Sequence, residues 1–488
     1  MLNLMIFLPL LTGLLLLTLP SGRPVLVRQV ALVGSLLTLL LGVLLVLNFD
    51  AARGGVQFVT RQPWIPSIGA GYSVGLDGLG LSLVVLTALL LALVNVSVLG
   101  QQERVREHAF LFLLMGSGLI GLFSSQDLLL FYLFFEVALV PMYFIIGIWG
   151  GENRRYAALK FFLYTRAGSL AMLLSFLALY LGVSPHSFDL AGIAAARPFQ
   201  NSALAFWVLL GLLAGFGVKL PTVPLHNWLP DAHVEAPTEG SVMLAGVQLK
   251  MGAYGLLHVM IPVLPGAVRE YAWLLSALGL LSLVYGALAA LAQRDLKRLV
   301  AYTSVNHMGY VMLAAGVWGL SADPSVRLLA LVGASLQMVS HGLLTGGLFF
   351  LVGSLGHRAG TRDIGALGGL LGALPQAGGL LVLFSFGSLG LPGLSGFVAE
   401  FQVLAAALGV SVWLAAVAAL GLLISTGVFL WMLSRVVMGE RPERSAGWTD
   451  LDWNERFSLY PLAALSLLLG LFPGPLVTVL ESAFRALR

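Results

Sequence analysis

Four ionisable residues lie in long apolar stretches of this chain: Glu136, Lys219, Lys250 and Glu400. An ionised side chain at the centre of a membrane-spanning helix costs roughly 2.5–3.5 kcal/mol, so each of them needs a function or a partner. A lysine, unlike an arginine, changes its proton affinity readily on burial. A nearby glutamate stabilises the charged form of such a lysine. The residue types therefore predict a proton relay that needs no metal, nucleotide or covalent chemistry.

Other polar residues in apolar segments are candidates of lower weight. Imidazole changes charge near neutral pH, so we include His307 and His341 in the relay as bridging groups. We interpret His258 as a histidine whose needs are met within the helix core. Arg166 does not deprotonate and is expected to have a structural or tuning role. The alternative for the charges is a set of static ion pairs that fix helix packing.

A polar turn follows Pro224 and is rich in residue types that bind metals. Its side chains do not match the spacing of a zinc site. We therefore predict a hydrogen-bonded, helix-capping turn and no metal. The residues concerned are His226, Asp231, His233, Glu235 and Glu239.

The composition excludes a soluble enzyme, a disordered protein and a coiled coil. Of 488 residues, 59% are hydrophobic and 10% charged, with a mean hydropathy of +0.95. An ordinary soluble domain carries about 25% charged residues. The chain has no Cys, which excludes disulfides, thiol catalysis and cysteine-ligated iron–sulfur clusters. Its net charge of +4 is scattered through loops, so we expect a lipid bilayer around it and no nucleic acid partner.

Stretches of about 20 apolar residues predict fourteen membrane-spanning helices. Of the Lys and Arg residues, 16 fall in loops of one side and 7, including Arg488, in loops of the other. The excess of positive charge marks the cytoplasmic side and places both termini on the outer, periplasmic side. The predicted segments are 2–20, 25–48, 79–99, 109–125, 127–149, 156–182, 204–230, 239–262, 270–292, 299–319, 327–356, 375–408, 411–438 and 456–477.

Two of these helices are interrupted by proline and glycine. The seventh contains Pro221, two residues after Lys219, and the twelfth contains Leu-Pro-Gly-Leu-Ser-Gly at 391–396. Each is the fourth helix in a set of five (helices 4–8 and 9–13), and an odd number of spans makes the second set inverted. Matched breaks in two inverted halves point to a transport pathway, although two unrelated proline kinks are the alternative. We therefore predict one membrane domain over 1–488, divided into N-terminal helices (1–108), a first repeat (109–262), a second repeat (270–438) and a C-terminal helix (456–488).

Three motifs resemble those of a known family. They are Pro-Leu-His-Asn-Trp-Leu-Pro-Asp-Ala-His-Val-Glu-Ala-Pro-Thr at 224–238, Arg-Asp-Leu-Lys-Arg-Leu-Val-Ala-Tyr-Thr-Ser-Val-Asn-His-Met-Gly at 294–309 and Leu-Pro-Gly-Leu-Ser-Gly-Phe-Val-Ala-Glu-Phe at 391–401. The chain is similar in these motifs, and over about residues 70–440, to the antiporter-like proton-translocating subunits of respiratory complex I. The resemblance implies two inverted five-helix repeats, each with a broken helix.

The resemblance also assigns roles to residues. It implies that Glu136 and Lys219 form the ion pair of the first half-channel and that Lys250 is the central lysine. Glu400 is similar to the terminal glutamate that faces the periplasmic exit. His307 and His341 resemble the histidines of the connecting polar axis. Glu400 also indicates the M type, the type of mitochondrial subunit 4.

The implied function is that of a proton-translocating subunit of a bacterial NADH:quinone oxidoreductase in the plasma membrane. The chain itself would hold no cofactor, and FMN, iron–sulfur clusters, NADH and quinone would bind to partner subunits. Expected partners are L-type and N-type antiporter-like chains and small membrane subunits. The main alternative is the D-type subunit of a multisubunit sodium/proton antiporter, and a subunit of a membrane-bound hydrogenase is a third possibility.

Overall fold

Helices form nearly all of the structure, a computed structural model that describes residues 1–20, 22–98, 103–200 and 202–487. Arg488, and Leu99 at the end of the third predicted segment, lie outside the described residues. The N-terminal part contains a two-stranded antiparallel hairpin, whereas the sequence indicated only a long loop there. Its elements are α1 (Leu2–Thr18), α2 (Pro24–Asn48), β1 (Gln57–Ile65), β2 (Ala70–Leu76) and α3 (Gly78–Ser97).

The middle of the chain contains one helix with two π-helical turns. It runs over Thr238–Val263 and is made of α10 (Thr238–Met243), a π turn (Leu244–Gln248), α11 (Leu249–Tyr254), a second π turn (Gly255–Met260) and α12 (Ile261–Val263). The other middle helices are α4 (Val105–Ser124), α5 (Leu128–Trp149), α6 (Arg154–Leu181), α7 (Leu190–Ala196), α8 (Leu204–Lys219), α9 (Leu229–Glu235) and α13 (Pro265–Glu270).

The last part begins with long helices and ends with a bent pair. The segment predicted as one helix over 456–477 is two helices, bent by 77°, so that prediction was wrong. Phe472 and Pro473 separate them and Gly474 begins the second, and neither proline nor glycine continues a helix well. The helices are α14 (Ala272–Leu291), α15 (Leu296–Leu320), α16 (Pro324–Ala359), α17 (Leu370–Ala373), α18 (Pro375–Ser388), α19 (Ser395–Val410), α20 (Val412–Val436), α21 (Trp453–Leu471) and α22 (Gly474–Phe484).

Aspartates begin many of these helices. The Asp127 carboxylate accepts hydrogen bonds from the amides of Leu129 and Leu130 at the start of α5. Asp77 and Asp295 cap α3 and α15 in the same way. Such caps satisfy amides that have no partner within the helix. The first residue of these helices is therefore set by a capping aspartate that can be seen in the sequence.

The surface of the molecule is apolar, as a membrane requires. Trp413 is 81% exposed, and Leu174 and Leu423 are 68% exposed. In contrast, the helices over Thr238–Val263 and Pro324–Ala359 lie in the centre of the molecule. In the most apolar 18 residues of each, 94% of the residues are buried. The chain is thus a polytopic all-α membrane protein, as predicted from its composition.

Length and composition identify nine of the described helices as able to cross a membrane, or ten if the bent pair counts as one. Three shorter apolar helices, α1, α8 and α19, accompany them. All fourteen predicted segments contain helix. The fourteen-span topology and the inverted repeats stay predictions.

The chain is interrupted at both predicted places. Between α8 and α9 the freed carbonyl of Val218 accepts a hydrogen bond from the Trp228 indole at 2.9 Å. Between α18 and α19, Gly390 and Gly393 have φ of +79° and +94°. Residues with a Cβ rarely adopt such angles. At the first break, a protein side chain therefore satisfies a backbone group that the lipid interior cannot satisfy.

Candidate functional site

One end of the candidate site is an ion pair between neighbouring helices. Glu136 of α5 contacts the guanidinium of Arg166 on α6. The Glu136 carboxylate also accepts a hydrogen bond from the Ser169 hydroxyl at 2.7 Å. The Arg166 side chain is 41% exposed, and its Nη1 donates to the Tyr132 hydroxyl at 3.5 Å. The arginine with no assigned role is thus the direct partner of the glutamate.

Lys219 lies apart from this pair. Its side chain is fully buried, and its Nζ donates to Gln248 Oε1 at 3.2 Å. The same ammonium group lies over the rings of Phe161 and Trp228, 4.7 and 5.7 Å from their centroids. Aromatic faces attract cations, which stabilises the charge in an otherwise apolar site.

The expected ion pair between Glu136 and Lys219 is therefore wrong as a direct contact. Among the described ion pairs, Glu136 has Arg166 as its cation, and none includes Lys219. The reason lies in helix packing. α6 lies against α5, and the planar guanidinium fork of Arg166 reaches the carboxylate from there. The Lys219 side chain instead points towards the helix that holds Gln248.

Gln248 is the hydrogen-bond partner of Lys219 and was missed by the sequence reasoning. Its amide nitrogen donates to the Ala138 carbonyl at 2.8 Å and lies 3.0 Å from Met115 Sδ. It precedes Lys250 by two residues on the same helix. Because an amide within a wholly buried apolar helix is costly without partners, its position beside the lysine was a usable signal.

Lys250 joins the first half of the molecule to the second. It is fully buried and lies between the two π-helical turns, which are often found at functional sites. Its Nζ donates to the Ala245 carbonyl at 2.5 Å and lies 2.7 Å from Nδ1 of His341 on α16.

The row continues through the histidines to the second break. The rings of His341 and His307 are 5.6 Å apart at 87°, and His307 Nε2 is 3.9 Å from Glu400 Oε1. All three residues are buried. The axial row, which we define as Lys250, His341, His307 and Glu400, thus connects four helices without leaving the interior.

The polar turn after α8 is held by ion pairs and backbone contacts. Asp231 pairs with Lys160 at 2.6 Å and Arg298 at 3.4 Å. Glu239 lies 3.0 Å from His108, and Glu235 accepts a hydrogen bond from an amide at the start of α6. Within the described ranges, no group of three or more His, Asp or Glu is placed to hold a metal ion. The three carboxylates of the turn are thus paired or hydrogen-bonded, as its sequence predicts, whereas neither ring nitrogen of the buried His233 has a hydrogen-bond partner in the described part of the chain.

Two further buried residues lie outside the axial row, and only the second differs from its predicted surroundings. His258 forms no part of the axial row, and its Nδ1 lies 3.0 Å from Asp77 Oδ2, which fits a histidine satisfied within the core. Lys297, expected in a loop, lies buried in the first turn of α15 and donates to the Ala236 carbonyl at 2.5 Å. The capping Asp295 starts this helix three residues earlier than the hydropathy indicated.

The fold and the buried row define a class of protein: an all-helical, multi-pass membrane protein with ionisable side chains joined across its interior. Residues 125–425 match the family described as "NADH:quinone oxidoreductase/Mrp antiporter, TM". The NADH-quinone oxidoreductase subunit M of Rickettsia bellii is 40% identical over 97% of this chain and 95% of its own length. The chain belongs to this NADH:quinone oxidoreductase/Mrp antiporter transmembrane family.

Solved structures agree with this membership. A chain of respiratory complex I from Thermus thermophilus with bound NADH has a TM-score of 0.89 and 35% identity, with 100% of this chain and 99% of that chain covered. A chain of the Mrp complex from a Dietzia species has a TM-score of 0.85 at 21% identity, covering 99% and 96%. The second likeness shows the fold alone.

Proposed function

We propose that this chain is a proton-translocating membrane subunit of a bacterial NADH:quinone oxidoreductase, of the M type. The observation that carries the proposal is the axial row, and above all the 2.7 Å contact between Lys250 and His341. A buried ammonium beside a buried imidazole can pass a proton without crossing lipid. The redox reaction is inferred from the names of the relatives, which are subunits of NADH-quinone oxidoreductases. Partner subunits would perform that reaction.

In the proposed mechanism Glu136 moves between two cations. When a partner subunit changes the local field, Glu136 leaves Arg166 and approaches Lys219. Its charge then favours the protonated form of Lys219, and its return favours proton release. Gln248 holds the Lys219 ammonium by a hydrogen bond, and Lys250 on the same helix as Gln248 accepts the proton. The proton then follows His341, His307 and Glu400.

Several further features belong to the proposal. The N-type and L-type chains and small membrane subunits would be the partners, and FMN, iron–sulfur clusters, NADH and quinone would bind there. The membrane would be the bacterial plasma membrane, with both termini on the periplasmic side. The repeats would span 109–262 and 270–438, which is supported by the two breaks at matching places.

The proposal is tested in the purified complex, reconstituted in vesicles and driven by NADH. Lys219→Met and Glu136→Ala should each reduce strongly the number of protons moved per NADH oxidised. The control is Arg61→Met, which removes a cation that is 63% exposed on the hairpin. Normal pumping in both Lys219 and Glu136 variants would refute the relay.

The antiporter alternative is less well supported. The chain shares 40% identity with a relative named for NADH-quinone oxidation, whereas the Mrp likeness, at 21%, concerns the fold alone. The two functions differ in their requirements. Proton movement that needs sodium and ignores NADH would favour the antiporter.

A further inference from the structure

Four buried aromatic side chains form a cluster beside the lysines. The aromatic cluster, which we define as Phe123, Phe131, Phe216 and Tyr254, is at most 1% exposed at each residue. The ring of Tyr254 stacks on Phe131 at 6.4 Å and meets Phe123 edge-on at 5.3 Å. Phe216 meets Phe131 edge-on at 6.2 Å. The four rings come from four different segments of the chain and form one continuous contact.

The cluster lies between the charges and one face of the molecule. We call this the hairpin face, because β2 pairs there with Ser125, just before α5 begins. Three helices each carry a charged or paired residue and, three to five residues closer to the hairpin face, an aromatic ring. At 1.5 Å per residue the rings lie about 4–8 Å beyond the charges. The pairs are Glu136 and Phe131 on α5, Lys219 and Phe216 on α8, and Lys250 and Tyr254 on α11.

The cluster leaves little room for water. A Cβ added to Gly255 would lie 2.2 Å from a ring carbon of Phe216, so this ring packs directly on the helix backbone. The Tyr254 hydroxyl donates to the Phe123 carbonyl at 3.0 Å, and its one polar group is therefore satisfied internally. An apolar constriction of this kind excludes water and ions.

His258 and Asp77 support the cluster from the hairpin face. The imidazole of His258 stacks on the Tyr254 ring at 4.5 Å and 14°. Asp77 holds His258 at 3.0 Å and also caps α3 through the amide of Gly80 at 2.7 Å. Burial raises the pKa of Asp77, but the contact with His258 and the backbone amides of Gly80 and Leu79 outweigh this and hold the pKa below its usual value. A charged Asp77 therefore fixes the ring that lies under Tyr254.

We propose that the aromatic cluster is a proton barrier that prevents protons on Lys219 and Lys250 from leaving directly through the hairpin face. Protons must then travel along the axial row to Glu400. His258 and Asp77 are positioning residues of this barrier. The inference rests on the proposed function, since a barrier matters only where protons move.

The barrier is tested as a passive leak, without NADH. The assembled complex is reconstituted in potassium-loaded vesicles, a potential is imposed with valinomycin, and a pH-sensitive dye reports proton entry. Phe131→Ser should raise the leak several-fold. The control is Phe112→Ser, an equally buried phenylalanine whose ring contacts His108 instead, and it should match the unaltered complex.

A leak at the level of the unaltered complex in an assembled Phe131→Ser variant overturns the barrier. Should that variant not assemble, Phe131→Leu keeps apolar volume but loses the ring contacts, and it is measured in the same way with the same criterion. For the positioning role, His258→Ala and His258→Phe both remove the imidazole that contacts Asp77. Only the alanine also loses the stacked ring, so only His258→Ala should leak.

The two proposals fail in different experiments. If the unaltered complex oxidises NADH without moving protons, the proposed function is wrong, whatever the leak of the variants. If Lys219→Met stops pumping while Phe131→Ser and Phe131→Leu remain tight, the proposed function holds and the barrier is wrong.

Discussion

Replacing Gly390 by alanine should slow proton transfer far more than the same replacement at Gly393. Gly390 has φ of +79°, and a Cβ there would lie 2.6 Å from Glu400 Oε2. Gly393, in the same break, has φ of +94°, but its Cβ would meet only Leu471, at 3.8 Å. The two glycines therefore share the backbone strain and differ in their contact with the carboxylate.

The expected magnitudes follow from these distances. The strained backbone costs about 1–2 kcal/mol in either alanine variant. Only at Gly390 must the carboxylate also retreat by about 1 Å to reach a normal contact of about 3.5 Å. Glu400 is 3.9 Å from His307, so such a shift changes their Coulomb energy by about 1 kcal/mol at an effective dielectric constant of about 20. That energy corresponds to roughly a fivefold change in rate.

The assay compares the initial rate of NADH-driven proton uptake into vesicles with the thermal stability of the same preparations. We expect Gly390→Ala to pump about five times more slowly and Gly393→Ala to pump at nearly the normal rate, with similar losses of stability. If the two variants pump equally, the 3.9 Å gap between His307 and Glu400 does not limit the proton flux, and the reasoning fails.

Two further predictions concern the first half of the site. Gln248→Leu leaves the Lys219 ammonium without its hydrogen-bond acceptor, which costs about 1–3 kcal/mol, and should reduce NADH-driven pumping while the complex still assembles; unchanged pumping would show that Gln248 does not position the lysine. Arg166→Met removes the direct partner of Glu136 and should slow pumping, whereas Arg166→Lys should restore part of it. Equal rates in the two Arg166 variants would show that the charge of the partner is irrelevant.

Local patterns predicted much of the fold. The helices coincide with apolar runs, because a backbone in lipid must satisfy its hydrogen bonds within the segment. The break after Lys219 and the break at 391–396 follow from proline and glycine, whose effects are also local. The hairpin over 57–76 and the bend after Leu471 were missed, because weak strand patterns and helix ends depend on what packs against them.

The candidate residues could be found from the sequence because a charge in an apolar segment is energetically costly. Their contact partners could not be found in this way. A charge in an apolar run is conspicuous in any sequence, which is why Lys250 and Glu400 stood out. Arg166 was equally conspicuous, yet its pairing with Glu136 depends on the rotation of α6 against α5. Gln248 is uncharged and drew less attention, although it accepts a hydrogen bond from Lys219.

The sequence by itself determined that the chain lies in a membrane, where its helices break and which ionisable groups lie in apolar segments. These properties depend on residues within a few positions of one another. The tertiary structure alone decided that Glu136 pairs with Arg166, that Lys250 meets His341 and that aromatic rings cover the charges on the hairpin face. Such contacts join side chains far apart in the chain, and small rotations and shifts of packed helices select among them.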